Sequence, residues 1–313
     1  MKRKTHLLRI VVSVYNEAES LLAIYEALDI VSKSIKIRYH CEFLFVDDGS
    51  TDSSLIILKL LHQHDRRVKY LHFSANFGHE AAMIAGIDHS TSATAVICLD
   101  ADLQHPPSLI PTMLQAYENG HDIVHMVQAD RRESLIKIVF SRIFYGLINL
   151  ISDKSFDDNA SDFFLISQRV AQLLHVKYRE KSRFIRGLLQ ILGFSRSTIL
   201  FNAPPRTQGN SKYNFYRLSA LSLIAFTSFS RAPLHLSLII TIGMSFLSVV
   251  LLFCSIWLYI VSGIVSYQLL VVMGISIAFS LQFVVLSIMS EYIGHILVEN
   301  KRRPIYLIES SEE

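Results

Sequence analysis

Three apolar runs in the first third of the chain each break off at a cluster of polar and acidic side chains, and this repeated ending restricts the fold more than any other feature. Ile10-Val11-Val12-Ser13-Val14 runs into Tyr15-Asn16-Glu17. Cys41-Glu42-Phe43-Leu44-Phe45-Val46 runs into Asp47-Asp48-Gly49-Ser50-Thr51-Asp52, and Val96-Ile97-Cys98-Leu99 into Asp100-Ala101-Asp102-Leu103-Gln104. Short apolar runs bounded by such residues read as buried strands, and in open parallel α/β sheets ligands collect at the carboxyl ends of the strands. An Asp or Ser cap on the following helix explains any one cluster, Ser50 to Asp52 in particular. It is a poor account of all three together.

The periodicity up to about residue 130 alternates strands over 8–14, 41–47, 67–72, 94–100 and 121–127 with helices over 19–35, 52–64, 78–90 and 107–118. That alternation predicts an α/β domain, a mostly parallel sheet with helices on both faces. Beyond it the pattern turns basic, aromatic and amphipathic. Ser134 to Ser152 has helical spacing, with Leu135, Ile138, Val139, Ile143, Phe144 and Leu147 near one face, which suits core packing or a bilayer surface equally. Tyr216 to Ser230 is the better candidate for an interfacial helix. The Pro-, Gly- and Asn-containing stretch Ala203 to Tyr213 reads as a loop carrying Arg206 and Lys212.

From Ala232 to Ser290 there is no Asp, Glu, Lys or Arg. A spanning helix needs about 20 apolar residues, so the run predicts two, over 233–261 and 268–291, with Ser262-Gly263 marking the turn. Lys212, Arg217 and Arg231 precede the first span and Lys301-Arg302-Arg303 follow the second, while the connection carries no charge. The positive-inside rule then places both ends in the cytoplasm. A formal charge of +3 is too small to argue for nucleic acid as a partner, and its clustering beside the spans fits anionic lipid instead. The basic start, Met1-Lys2-Arg3-Lys4, leads into no apolar stretch long enough for a signal peptide. Cys41, Cys98 and Cys254 are odd in number and set in apolar runs, as core thiols of a reducing compartment would be.

Asp100 and Asp102, one residue apart at the end of a strand, can reach one hard cation if the segment is extended, with the Gln104 amide oxygen as a third ligand. Oxygen donors select Mg²⁺ or Mn²⁺. Mg²⁺ usually completes its shell with water and substrate phosphates, so the implied partner is a diphosphate. The histidines at 62, 64, 72, 79, 105 and 121 share no metal-ligand spacing and read as surface or core residues.

Val11-Val12-Ser13-Val14-Tyr15-Asn16-Glu17, Phe45 to Asp52, Asn76-Phe77-Gly78, Asp100-Ala101-Asp102-Leu103-Gln104, Arg183-Phe184 with Gly187, Gly209 with Ser211-Lys212-Tyr213, Thr227-Ser228-Phe229-Ser230 and Gly294 before Arg302-Arg303-Pro304 occur in this order. Together they resemble the family 2 glycosyltransferases, and within them the polyprenyl-phosphate branch of bactoprenol glucosyltransferases and dolichol-phosphate mannose synthases. The resemblance covers nearly the whole chain. It implies a GT-A fold, Rossmann-like, a nucleotide-sugar donor, a divalent metal and inversion at the anomeric carbon. It divides the chain into a cytoplasmic GT-A domain over 1–210, a juxtamembrane amphipathic segment over 211–231, a two-helix transmembrane domain over 232–291 and a cytoplasmic tail over 292–313. By the same resemblance Tyr15, Glu17 and Asp47 hold base and ribose, Asp100, Ala101 and Asp102 lie at the nucleotide sugar, and Asp100, Asp102 and Gln104 bind metal and diphosphate. Arg131, Arg206 and Lys212 match phosphate-contacting cations, and Asp162 an acidic residue near the acceptor. Asp102, Asp162 and Arg131 are thus the implied catalytic residues. A UDP-sugar, with glucose, is favoured over a GDP-sugar, the acceptor is undecaprenyl phosphate in the inner membrane, and homotetramers are an assembly the family uses. Ser13, His79, Gln128, Phe164 and Asn210 depart from the usual Pro, Lys, Arg, Asp-Phe-Arg and Glu.

A phosphate monoester has its second pKa at roughly 6 and is already an oxyanion near neutral pH, so such an acceptor needs no strong general base. It needs two anions held against each other, by a Lewis-acid metal and by Arg and Lys. Two other readings stay open at this point. A degenerate transferase domain could serve as a membrane scaffold or sensor, and a polymerising synthase is the alternative among enzymes. The latter usually carries Gln-x-x-Arg-Trp, whereas the single tryptophan here, Trp257, lies in the apolar stretch.

Overall fold

A computed structural model describes residues 6–128, 160–179, 185–202, 267–300 and 304–312, with the separate helical positions 250, 253, 256, 257 and 260. The chain divides into two compact units. The first holds an eight-stranded sheet: β1 (His6–Val14), β2 (Tyr39–Asp47), β3 (Val68–Phe73), β4 (Ala95–Asp100), β5 (Ile123–Gln128), β6 (Ala160–Ser167), β7 (Arg196–Phe201) and β8 (Ile308–Glu312), in the order β7-β5-β6-β4-β1-β2-β3-β8. Its helices are α1 (Leu21–Ile35), α2 (Ser54–His64), α3 (His79–Asp88), α4 (Ile110–Glu118), α5 (Gln168–Lys177) and α6 (Ile185–Ile191).

β1 pairs in parallel with both β2 and β4, β2 with β3, and β5 with β7. Each early strand agrees with the apolar run that predicts it. β6 runs antiparallel between β4 and β5, and β8 runs antiparallel along the free edge of β3. Neither these two strands nor β7 is among the expected elements. β7 alternates exposed and half-buried positions, which leaves no apolar run to see, and β8 is a polar pentapeptide, Ile-Glu-Ser-Ser-Glu.

The period-two alternation of β1 explains the layering. Leu8, Ile10, Val12 and Val14 point to one face and pack with Leu21, Ile24 and Leu28 of α1, Leu58 of α2 and Met113 of α4. Val11 points to the other, with Leu44, Leu71 and Phe73, under α3, α5 and α6. These side chains are almost wholly buried, and each Leu or Ile so buried contributes about 1.5–3 kcal/mol. α3 lies close on the sheet at Gly86, where a Cβ would stand 2.1 Å from Val11 Cγ1. Because every helix that follows a parallel strand starts where that strand ends, this contact also brings the first turn of α3 to the carboxyl edge.

Among the described residues of the second unit is α7 (Tyr267–Asn300), 34 residues and about 50 Å long at 1.5 Å per residue. It covers the second predicted span. Its window Ile277–Gly294 has mean hydropathy 1.5, is long and apolar enough to cross a membrane, and buries none of itself. The first predicted span lies outside the described residues apart from the five helical positions named above. Ser134–Ser152 and Tyr216–Ser230 lie outside them as well.

Candidate active site at the strand ends

The ends of β1 and β2 are tied together by short polar side chains. Asn16 sits at φ 55°, a left-handed conformation that Asn tolerates better than most residues. Its Oδ1 accepts the backbone N–H groups of Thr51 at 2.8 Å and Asp52 at 3.3 Å, while its own N–H donates to Ser50 Oγ at 2.8 Å. Gly49, at φ 67°, turns the chain against Ala75, where any Cβ would come within 2.5 Å of the backbone. Asp47 is fully buried, accepting from Ser50 N–H at 3.0 Å and contacting His72 Nδ1 at 2.8 Å. Asp48, also buried, accepts from the N–H groups of Phe77 at 2.7 Å and Gly78 at 2.9 Å. Burial pushes its carboxyl up to about 6 despite those two donors. Glu17 lies beside this corner, its N–H on Ser54 Oγ at 3.1 Å and its carboxylate accepting from Ser20 Oγ at 3.2 Å, and the Tyr15 ring is exposed.

On the other side of β1 the strand β4 stops at Asp100. Ser13 Oγ, at the end of β1, donates to Asp100 Oδ1 at 2.8 Å, and Asp100 N–H donates to His105 Nδ1 at 3.1 Å. The His105 ring stacks on Phe163 of β6 at 5.3 Å. The antiparallel insertion of β6 beside β4 delivers Asp162 to the same place. His79, the first residue of α3, stands between them, Nε2 3.6 Å from Asp100 Oδ1 and 3.5 Å from Asp162 Oδ2. Arg186 Nε lies 3.1 Å from Asp162 Oδ1, and Glu80 accepts from Ile185 N–H at 3.1 Å, which fastens α3 to α6.

Burial opposes a charge on the His79 imidazole, but Asp100, Asp162 and Glu80 outweigh it and push it up to about 10. Burial likewise works against the Asp162 carboxylate, yet Arg186, His79 and His105 hold it well below the usual range. Glu80, half-buried, rises to about 7 through loss of solvent and the nearby Asp162 carboxylate. Among the described residues, His79 Nε2 is buried and has no hydrogen-bond partner, its nearest acceptors being the two carboxylates at 3.5 and 3.6 Å. Three donor atoms, one each from His79, Asp100 and Asp162, lie within 4.8 Å of one another. The two carboxylates suit a hard divalent cation such as Mn²⁺ or Mg²⁺, and the imidazole would add a nitrogen donor, more at home on Mn²⁺ than on Mg²⁺, once the cation takes the place of the His79 proton. The site therefore fits the metal that the resemblance implies.

The extended segment ends before Asp102. Ala101 is buried in the core, and the chain then turns, with Leu103 at φ 62° and Asp102 Oδ1 accepting Gln104 N–H at 3.1 Å. A bulky residue at positive φ is a strained conformation of the kind found at functional sites. The sequence-derived residues Asp100 and Asp162 are brought together, Asp102 and Gln104 sit in the adjoining turn, and Tyr15, Glu17 and Asp47 belong to the other corner. Arg131, Arg206 and Lys212 lie outside the described residues. His79, His105 and Arg186 join the site from three segments with no common spacing. The one sequence signal for His79 is its place directly after Asn76-Phe77-Gly78.

Residues 9–174 match the model of the family described as Glycosyl transferase family 2. An uncharacterized glycosyltransferase of Bacillus subtilis, YkcC, is 35% identical over 306 residues, covering 96% of this chain and 93% of its own. A bactoprenol glucosyl transferase of Shigella phage SfV is 33% identical over 313 residues, covering 97% and 98%. Among solved structures, mannosyl-3-phosphoglycerate synthase from Rubrobacter xylanophilus superposes with a TM-score of 0.47 at 13% identity, over 70% of this chain and 71% of that one. The mostly parallel sheet with acidic clusters at its carboxyl edge is GT-A-like, and with the family model over residues 9–174 and the two relatives matching along nearly its full length the chain belongs to glycosyl transferase family 2, as a glycosyltransferase.

Proposed function

We propose that this enzyme moves one sugar, glucose in the favoured reading, from a UDP-sugar to a polyprenyl phosphate such as undecaprenyl phosphate, with inversion and at the cytoplasmic leaflet. The observation that carries this is the near full-length likeness to a bactoprenol glucosyl transferase combined with the His79, Asp100 and Asp162 cluster at the strand ends. A scaffold needs no such cluster, and half-buried titratable groups with strongly shifted ionisation mark functional sites.

The departing group is a nucleoside diphosphate and the attacking group a lipid phosphate oxyanion, so the site must hold two anions within bonding distance of one sugar carbon. Asp100, with Asp102 and Gln104 of the adjoining turn, would hold the divalent metal, Mn²⁺ or Mg²⁺, and His79 and Asp162 offer it further donors beside Asp100. When bound, the metal supplies Lewis-acid neutralisation of the leaving diphosphate. Tyr15, Glu17 and Asp47 bind base and ribose at the β1–β2 corner. Arg131, Arg206 and Lys212 offset the repulsion between donor and lipid phosphates. Arg186 holds Asp162 in place from α6. Two spans over 233–261 and 268–291, with both termini cytoplasmic, would hold the chain in the membrane that carries the acceptor, and a homotetramer is the assembly consistent with the resemblance.

Membranes carrying the full chain, incubated with undecaprenyl phosphate and Mn²⁺ and a panel of radiolabelled UDP- and GDP-sugars, test this reading. Label should pass into a lipid product from one UDP-hexose. Transfer from no donor, with the protein folded, would leave the scaffold reading in its place.

A further inference from the structure

The last described residues return to the edge of the sheet next to the β2 corner. Tyr306 stacks flat on Phe73, ring centres 5.2 Å apart, and its hydroxyl donates to buried Asp88 at 2.9 Å. Leu307 O accepts Ser74 N–H at 3.0 Å, and β8 then runs back along β3. The ladder pairs Leu71 with Ser311 and His72 with Ser310, but Phe73 with Ile308, so Glu309 is the extra residue of a β-bulge. Bulges re-aim side chains and are over-represented at sheet edges beside active sites.

The re-aimed residue meets the donor corner. Glu309 Oε2 lies 3.6 Å from His72 Nε2, and His72 Nδ1 lies 2.8 Å from Asp47 Oδ2. The Asp47 carboxylate is fully buried, and its other oxygen is held by Ser50 N–H. The imidazole is thus clamped between two carboxylates, one in the core and one exposed. Nothing in the packing of β3 requires an acid at the bulge, since Glu309 is 64% exposed.

We infer that Glu309, acting through His72, is a positioning residue for Asp47, and that the C-terminal strand is a working part of the nucleotide site. This rests on the reading of Asp47 as a nucleotide ligand. Positioning a group that grips base or ribose alters ground-state and transition-state binding alike, so its loss raises donor KM and leaves kcat unchanged.

The experiment titrates UDP and, separately, GDP into the full chain in detergent with Mn²⁺, and follows it with donor kinetics. Glu309→Gln should weaken binding of the preferred nucleotide about two- to fivefold, as loss of one exposed carboxylate–imidazole contact allows, raise donor KM equally and leave kcat and the melting temperature unchanged. His72→Asn should weaken it about tenfold or more, by loss of a hydrogen bond to a carboxylate. Glu312→Gln, on the same strand but away from His72, should bind as wild type. If Asp47→Asn is impaired while Glu309→Gln and His72→Asn both bind normally, the inference is overturned. Wild-type affinity in Asp47→Asn would instead remove the nucleotide reading of that corner, and a fall in melting temperature of Glu309→Gln without a change in KM would make β8 an edge cover only.

Discussion

At the end of β2, Asp47 and Asp48 give their oxygens to the N–H groups of Ser50, Phe77 and Gly78 and to the His72 ring, whereas at the end of β4 Asp100 and its neighbour Asp162 face His79 Nε2 across 3.6 and 3.5 Å. The first pair is anchored by donors of the protein itself. The second is held by Ser13 and Arg186 from behind and converges in front. Strands on either side of β1 therefore end in carboxylates of different kinds, one shaping loops and the other presenting donors to a ligand. Substitutions at the β2 corner should register in stability or in nucleotide affinity and leave kcat unchanged, and those at the β4 corner chiefly in metal binding and rate.

The largest effect belongs to the β4 corner. Asp100→Ala and Asp102→Asn should each lower kcat by on the order of 10³-fold or more, since each removes an anionic oxygen that would hold the metal on which neutralisation of the leaving diphosphate depends. Melting temperatures should stay within a few degrees of wild type. A folded Asp102→Asn retaining more than about a tenth of wild-type kcat would make the turn after β4 a structural feature and break the contrast. His79→Ala sharpens it in another way. Mn²⁺ bound to the full chain should show nitrogen coupling in its pulsed electron paramagnetic resonance spectrum, and the variant should lose it along with about tenfold or more in affinity. Identical spectra would mean an oxygen-only site formed without His79.

The β2 corner has its own signature in pH. Asp48 titrates at about 6 in the folded chain against an ordinary value of 3.8, because burial outweighs the N–H groups that it accepts from. Between those values the folded state holds a proton that the unfolded state has released, so Asp48 makes the native chain less stable as pH rises from about 4 to 6. Asp48→Asn keeps an oxygen for Phe77 and Gly78 and cannot ionise. Its stability relative to wild type should improve by on the order of 3 kcal/mol across that window. Chemical denaturation at pH 4, 5, 6 and 7 measures it, and parallel curves would show that Asp48 ionises without cost.

How far each corner is legible in the sequence follows from the same contrast. The β2 corner is nearly all local: Asp47 to Asp52 lie in one segment, and Asn16 follows the previous strand directly, so apolar runs and turn residues suffice to find it. The β4 corner shows only Asp100 and Asp102 locally. Its other members arrive on α3, β6 and α6, through an antiparallel strand threaded between β4 and β5 that no alternation of strand and helix foretells. Asp162 was legible only through the family resemblance. His79 and Arg186 depend on where Gly86 lets α3 settle and on where α6 packs, which are properties of tertiary contact. The i, i+2 argument for Asp102 holds only while the chain is extended, and β4 ends one residue after Leu99. β8 was hidden for the opposite reason, as its short polar sequence resembles any tail and its partner edge is more than 230 residues away in the chain.

The smallest effect tests whether the β2 corner is set by hydrogen bonding or by backbone conformation. Asn16 does two things there: its Oδ1 accepts from Thr51 and Asp52, and its backbone holds φ at 55°. Asn16→Gly removes the acceptor but keeps the conformation at no steric cost, and because this loop is exposed, water replaces part of what is lost. The expected destabilisation is about 1 kcal/mol. Asn16→Ala removes the acceptor and also forces a Cβ into the left-handed region, which adds about 1–2 kcal/mol. The order wild type, Gly, Ala in thermal melts, with kcat unchanged throughout, is what a scaffolding corner predicts. Equal melts for Gly and Ala would mean that the backbone escapes the left-handed region once the side chain is gone. A loss of kcat in Asn16→Gly larger than its loss of stability would join the two corners into one catalytic unit.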